Sequence, residues 1–211
     1  MDYERFTVKA QDALREASSI AQKSDQTQVE LEHILLALIE QEDGIVAPLL
    51  DRIGADSGQT AGEMELSISK KPKVFGDSAQ LFFAPPSSRV LAKAEAEASA
   101  LKDDYVSTEH ILIALSLSEG LVAKSLKSSG VTKDAILSAL KAVRGNSRVT
   151  DQNPEEKYQV LDKYCCDSHS LARQEKLDPV TTVGRRDTAR HAGAFTAVQK
   201  NNLGPALGSP V

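Results

Sequence analysis

The sequence predicts an all-α protein: a four-helix unit present twice about a pseudo-twofold axis, followed by a partly helical and disordered tail. Three observations carry this expectation. The heptapeptide Glu32-His33-Ile34-Leu35-Leu36-Ala37-Leu38 recurs 77 positions later as Glu109-His110-Ile111-Leu112-Ile113-Ala114-Leu115, with six of seven residues identical. Apolar residues on either side of both copies fall at helical spacing. Finally, 41% of the chain is apolar but only 4% is aromatic, with no Trp. The core must therefore be Leu, Ile, Val and Ala, which suits close-packed helices better than a sheet.

The self-match runs without a gap from residue 6 to 38 against 83 to 115, with eleven of 33 positions identical, among them Leu14/Leu91, Ala17/Ala94, Ala21/Ala98 and Val29/Val106. After one deletion it continues through Val46/Val122, Ala47/Ala123, Leu50/Leu126 and Gly54/Gly130. Repeat 1 is expected over about 6–71 and repeat 2 over about 83–146, giving a domain of 1–149. A unit of this size buries roughly 68–70% of its unfolded surface, enough to fold alone. Either unit alone would leave its Glu-His-Ile-Leu helix half exposed, and pairing the two copies buries both.

Local signals place eight helices. Thr7 is the expected N-cap of the first, with Phe6 as a staple residue and Ala10, Ala13, Leu14, Ala17, Ile20 and Ala21 as its apolar stripe. A second helix is expected over 29–41, with Leu31, Ile34, Leu35 and Leu38 inward, broken at Glu42-Asp43-Gly44. A short third, 45–53, stops at Gly54. Asp56 or Ser57 caps a fourth, which Gly58 and Gly62 weaken. After a linker over 70–81, Pro85 and Pro86 suit a first helical turn, where a missing N–H costs nothing. Ser107 or Thr108 caps the next helix, Gly130 ends the short 121–127 helix, and Thr132 caps the last, which Gly145 ends.

The remainder is different. Residues 150–179 read as a linker and a charged, plausibly helical segment. From 180 to 211 periodicity fails, with seven Gly or Pro in the last 33 residues. Net charge is −5, and residues 151–211 balance at eight acids and eight bases, so the excess acid lies in the repeats. A mildly acidic body without a basic stripe argues against nucleic acid. No apolar run approaches the roughly 20 residues needed to span a membrane. Met1-Asp2-Tyr3-Glu4-Arg5 carries no leader pattern, and the two cysteines are adjacent, so a cytoplasmic location is expected.

Few residue groups suggest chemistry. Glu32-His33 and Glu109-His110 invite an acid/base reading, but neighbours on a helix face apart, which favours structural roles. Cys165-Cys166-x-x-His169 lacks the second ligand pair of a zinc site, and Arg185, Arg186 and Arg190 read as solvated. No Ser/His/Asp or Cys/His arrangement has supporting context, so no catalytic residue, metal or cofactor is expected.

The doubled unit, with Thr108-Glu109-His110-Ile111-Leu112-Ile113-Ala114-Leu115, resembles the Clp repeat domain at the N-terminus of Clp/Hsp100 unfoldases, nearest to the ClpB disaggregases. Phe6-Thr7-x-Lys9-Ala10-Gln11-x-Ala13-Leu14 and Glu40-Gln41-Glu42-Asp43-Gly44 fit that likeness. Arg148-Val149-Thr150-Asp151-Gln152-Asn153-Pro154-Glu155 resembles the passage from N-domain to first ATPase domain, and residues 158–179 resemble the start of that ATPase domain. The likeness is strong over 1–153, fair to about 179 and poor afterward. Beyond Lys200-Asn201-Asn202 the family's phosphate loop should follow, but Gly204 and Gly208 have neither its spacing nor its Lys. The expectation is a truncated or frame-disturbed relative, monomeric and not itself an ATPase.

The resemblance implies recognition of unfolded or aggregated polypeptide for an ATP-driven disaggregase, with Thr7, Asp103 and Glu109 at the matching substrate-binding positions. Their plainer readings are an N-cap, a solvated loop charge and a first-turn acid. It also implies a groove between the two units that holds extended, apolar segments, with apolar side chains on the first helix of the second unit, where Lys93 and Glu97 stand instead. Two alternatives remain: a free-standing regulatory N-domain that docks adaptors or other Clp subunits, and a structural remnant that binds nothing.

Overall fold

A computed structural model describes residues 3–74, 81–144 and 149–154. The chain runs α1 (Val8–Lys23), β1 (Gln28–Val29), α2 (Leu31–Glu40), α3 (Val46–Ile53) and α4 (Ser57–Ser69) in the first repeat. The second repeat gives β2 (Phe82–Phe83), α5 (Pro85–Leu101), α6 (Thr108–Ser116), α7 (Leu121–Ser128) and α8 (Lys133–Arg144). The fold is all-α as expected; the two strands are two residues each. The Gly145 stop, Cys165, Cys166, His169, the arginines at 185, 186 and 190, and the expected ATPase-like segment and tail lie outside the described residues.

Most boundaries follow the capping residues. The Thr7 hydroxyl accepts from the Ala10 N–H, and Asp56 accepts from Gln59. Pro85 and Pro86 open α5. Gly54 and Gly130 take the left-handed conformation after α3 and α7, at φ +94° and +76°. One boundary differs: the second helix starts at Leu31, because Gln28 and Val29 are drawn into a strand. Its burial also exceeds the expected single face. Leu36, Ala37 and Ile39 are buried along with Leu31, Ile34, Leu35 and Leu38, and every residue of α6 is buried. These are the central helices, so each large side chain here contributes roughly 1.5–3 kcal/mol of burial.

The pseudo-twofold relation appears at every level. Positive φ angles recur at matching positions: Asp25 (57°) with Lys102 (60°), and Asp43 (56°) with Gly120 (105°). Helix α3 packs on α8 and α4 on α7, while α2 meets α6 at the centre. The lead-ins are exchanged between repeats. Val29 pairs in parallel with Phe83, and their counterparts in the other repeat, Val106 and Phe6, pair in parallel in the same way. The Thr7 N–H donates to the Val106 carbonyl at 2.9 Å, and the Ala84 N–H to the Val29 carbonyl at 3.0 Å. Each repeat thus begins on the other.

Candidate functional site

The two histidines of the repeated motif sit third in their helices and act locally. The Glu30 backbone N–H donates to His33 Nδ1 and the Ser107 N–H to His110 Nδ1, both at 3.0 Å. Each is half of a reciprocal capping box. An Nδ1 that accepts a backbone N–H carries no proton, so in the neutral ring the proton sits on Nε2. The partners of Nε2 then differ. His110 Nε2 lies 3.1 Å from Asp103 Oδ2. Gln26 takes the position of Asp103 in the first repeat, but its amide donates to the Ile68 carbonyl, and His33 Nε2 has no partner among the described residues. Burial, aided by the Lys71 ammonium, pushes the His33 pKa below its ordinary value of 6.5, against the opposing pull of Glu32 and Glu30.

Ser107 Oγ lies 2.9 Å from His110 Nδ1, so Ser107, His110 and Asp103 touch in series. These are the residue types of a hydrolytic triad, brought together by a contact that no spacing in the chain pointed to. All three are buried, Ser107 and His110 completely, so no substrate reaches the hydroxyl. The trio is a fastening. Asp103 Oδ1 accepts the Val149 N–H at 2.9 Å, and the Asp104 N–H donates back to the Val149 carbonyl. Three residues on, the Gln152 carbonyl accepts the Val8 N–H. Asp103 is therefore not a solvated loop charge: it is 5% exposed and clips the segment after the last helix to the start of α6.

Thr7 and Glu109 lie in the same seam and are fully buried. Thr7 caps α1 and bonds Val106; Glu109 occupies the first turn of α6. The first-repeat counterpart of Glu109 is more open. Glu32, counterpart of Glu109, and Glu30 share the Lys71 ammonium at 2.8 and 2.5 Å. The structure brings Thr7, Asp103 and Glu109 together around 103–109, beneath the surface.

A wide concavity opens elsewhere on the seam. It measures about 570 Å³ and lies between α5, the 117–120 turn and Leu31 of the first repeat. A smaller extension of about 170 Å³ continues it past Pro86 and Glu119 to Glu30, Glu32 and Leu121. Its apolar lining is Leu31, Pro86, Val90 and Leu117, with half-exposed Leu121 at the far lip. Comparing the repeats explains why it is open. At the matching place in the first repeat Lys9 bridges α1 to the turn after α2, its ammonium on the Glu42 carbonyl and its own carbonyl taking the Gln41 amide. Pro86 and Ser118 replace Lys9 and Gln41 in the second repeat, and neither is long enough to close the gap. Lys93 lies on the wall, donating to the Leu117 carbonyl at 3.1 Å, and Glu97 turns to Lys133 at 2.5 Å. A separate concavity of about 460 Å³ beside α1, α2 and α4 is lined by Glu16, Glu40 and Glu65. Partial burial, with Glu65 and Glu16 nearby, raises the Glu40 pKa. No group of three or more potential metal ligands occurs among the described residues.

A family model for the Clp repeat N-terminal domain matches residues 5–129. The chain belongs to that family. ClpB chaperones are its similar relatives: 35% identity to that of Bacillus cereus over the whole chain, and 36% to that of Bdellovibrio bacteriovorus over 97% of it. The chain spans about a quarter (24%) of the length of either protein. The Bacillus match runs to the end of the chain, past the point near 179 where residue-by-residue likeness fades. Among solved structures, the Hsp104 N-terminal domain from Candida albicans matches 71% of this chain and 98% of its own, at TM-score 0.61 and 24% identity. The ClpV N-terminal domain from E. coli matches 70% of this chain and 91% of its own, at TM-score 0.58 and 20% identity. A complex of a ClpV N-domain with a VipB peptide shares the fold at TM-score 0.57 and 19% identity.

For this Clp repeat domain, the site residues named from the resemblance are buried in the seam, and the expected groove between the units has a lining that sequence reasoning did not name beyond Lys93. Its signal was present in the self-alignment, as the positions where one repeat has a long side chain and the other does not.

Proposed function

We propose that this Clp repeat domain holds short extended segments of unfolded or aggregated polypeptide in the α5 groove, for transfer to an ATP-driven disaggregase of the ClpB type. The observation that carries the reading is the asymmetry of the two repeats: the second leaves an apolar-floored trough where the first is closed by Lys9 and Gln41. A trough of this size suits one extended strand. Docking a folded adaptor takes a face of about 800 Å² on each partner, so the peptide reading is preferred. Binding should be weak, because a small groove must offset the ordering of a flexible chain. Thr7, Asp103 and Glu109 enter as residues that hold the seam in shape beneath the groove, acting on affinity through it. The test is titration of a dye-labelled, permanently unfolded protein with the full chain and with Leu121→Asp. Leu121 is 50% exposed, so its replacement leaves the helices intact. Saturable binding that the variant weakens at unchanged helicity supports the reading; no binding by the unaltered chain ends it.

A further inference from the structure

The groove is electrically two-ended. On the α5 wall Arg89 and Lys93, one turn apart, are both exposed, and neither joins an ion pair among the described residues. At the other end Glu30 and Glu32 share a single ammonium, that of Lys71, so one negative charge is left over, and exposed Glu119, where the main concavity meets its extension, adds another. Leu31, Pro86, Val90 and Leu117 lie among these charges. The basic wall is not inherited from the repeat. The matching positions on α1 are Asp12 and Glu16, of opposite sign, and they pair with Arg15 and Lys23. A local positive pair on a domain whose excess charge is negative thus belongs to the second repeat's first helix and not to the first's.

We propose that the groove selects extended apolar segments flanked by opposite charges, an acidic residue against Arg89 and Lys93 and a basic residue against Glu119, Glu30 and Glu32. This rests on the polypeptide-binding reading above and adds to it the class of segment bound. The charges lie at a solvated rim, so each matched end is worth about twofold to fivefold in affinity. Matching both ends gives roughly tenfold over a peptide that matches one and opposes the other, and the advantage shrinks as salt shortens the Debye length.

The experiment is fluorescence anisotropy with the full chain and four peptides that share one Leu- and Ala-rich core and an uncharged dye. Their flanks are acidic and basic, both acidic, both basic, or both neutral. The acidic-and-basic peptide should bind tightest, by about tenfold over either uniformly charged one at low salt. In Arg89→Glu/Lys93→Glu the preference should move to the both-basic peptide, and in Glu119→Lys toward the both-acidic one; all three positions are exposed. Four peptides that bind alike, or an order that both variants leave unchanged, overturns the charge selection while the groove reading stands. No binding by any peptide overturns both. Sedimentation of the chain alone gives the remaining outcome: self-association that Arg89→Glu/Lys93→Glu abolishes would assign the groove to a second copy of this chain and overturn the proposal.

Discussion

Asp103→Ala should be among the most damaging single changes at a polar residue of this domain. The carboxylate receives two buried donors, the Val149 N–H at 2.9 Å and His110 Nε2 at 3.1 Å. Neither can turn to water, because Val149 and His110 are both 0% exposed. Nor can His110 escape by moving its proton to Nδ1, where the Ser107 N–H already points. Leaving a buried donor unsatisfied costs about 1–3 kcal/mol, so the two together cost roughly 2–6 kcal/mol. Against a total stability of about 5–15 kcal/mol this is a large fraction, and it corresponds to a Tm drop of roughly 5–20 °C. Asp103→Asn should rescue little: its Oδ1 can still take Val149, but its amide would set a donor against the His110 donor. Urea denaturation followed by circular dichroism gives the loss, and hydrogen exchange at the Val149 amide gives its location. A loss under about 1 kcal/mol for Asp103→Ala, or unaltered exchange at Val149, would refute the reasoning.

Two further outcomes test other parts of the account. The pKa of His33 is depressed in the fold relative to 6.5, so the unfolded chain binds the extra proton more readily. That contribution to stability is present above about pH 6.5 and is lost as pH falls through the lowered folded value. His33→Gln, which keeps the reciprocal cap, should flatten the slope of urea midpoint against pH on the acid side of 6.5; an unchanged slope removes His33 from the titration. Gly54→Ala and Gly130→Ala should each cost about 1–2 kcal/mol through backbone strain alone, since nothing lies within 4 Å of either added Cβ. Gly62→Ala, inside α4 and equally open, should instead stabilise by roughly 0.5–1 kcal/mol; chemical denaturation that gives all three the same sign would contradict the backbone argument.

The helices were legible because each is specified locally. Thr7, Asp56, Ser107 and Pro85 open helices by their own chemistry, and Gly54 and Gly130 close them. What was not legible depends on contacts made across the chain. Val29 looks like the first residue of a helix until Phe83 is placed beside it. Asp103 looks like a loop charge because Val149, which buries it, is 46 residues away. The motif helices carry one expected apolar face but are buried all round, since the second face is covered by the other repeat. The groove was expected from the family likeness, but its lining was not: it is made by what Pro86 and Ser118 fail to fill, which shows only when the two repeats are set side by side. Lys93 and Glu97 did stand out against the family, and both are accounted for, one on the groove wall and one paired with Lys133.

The exchanged lead-ins bear on how the molecule comes apart. Phe6 is anchored to a residue 100 positions away, and Phe83 to one 54 positions back. Fraying the start of one half therefore exposes the edge on which the other half rests. The halves should then melt in one cooperative step, with coincident transitions for probes placed in each. A pulling force on either terminus would meet the resistance of the whole domain.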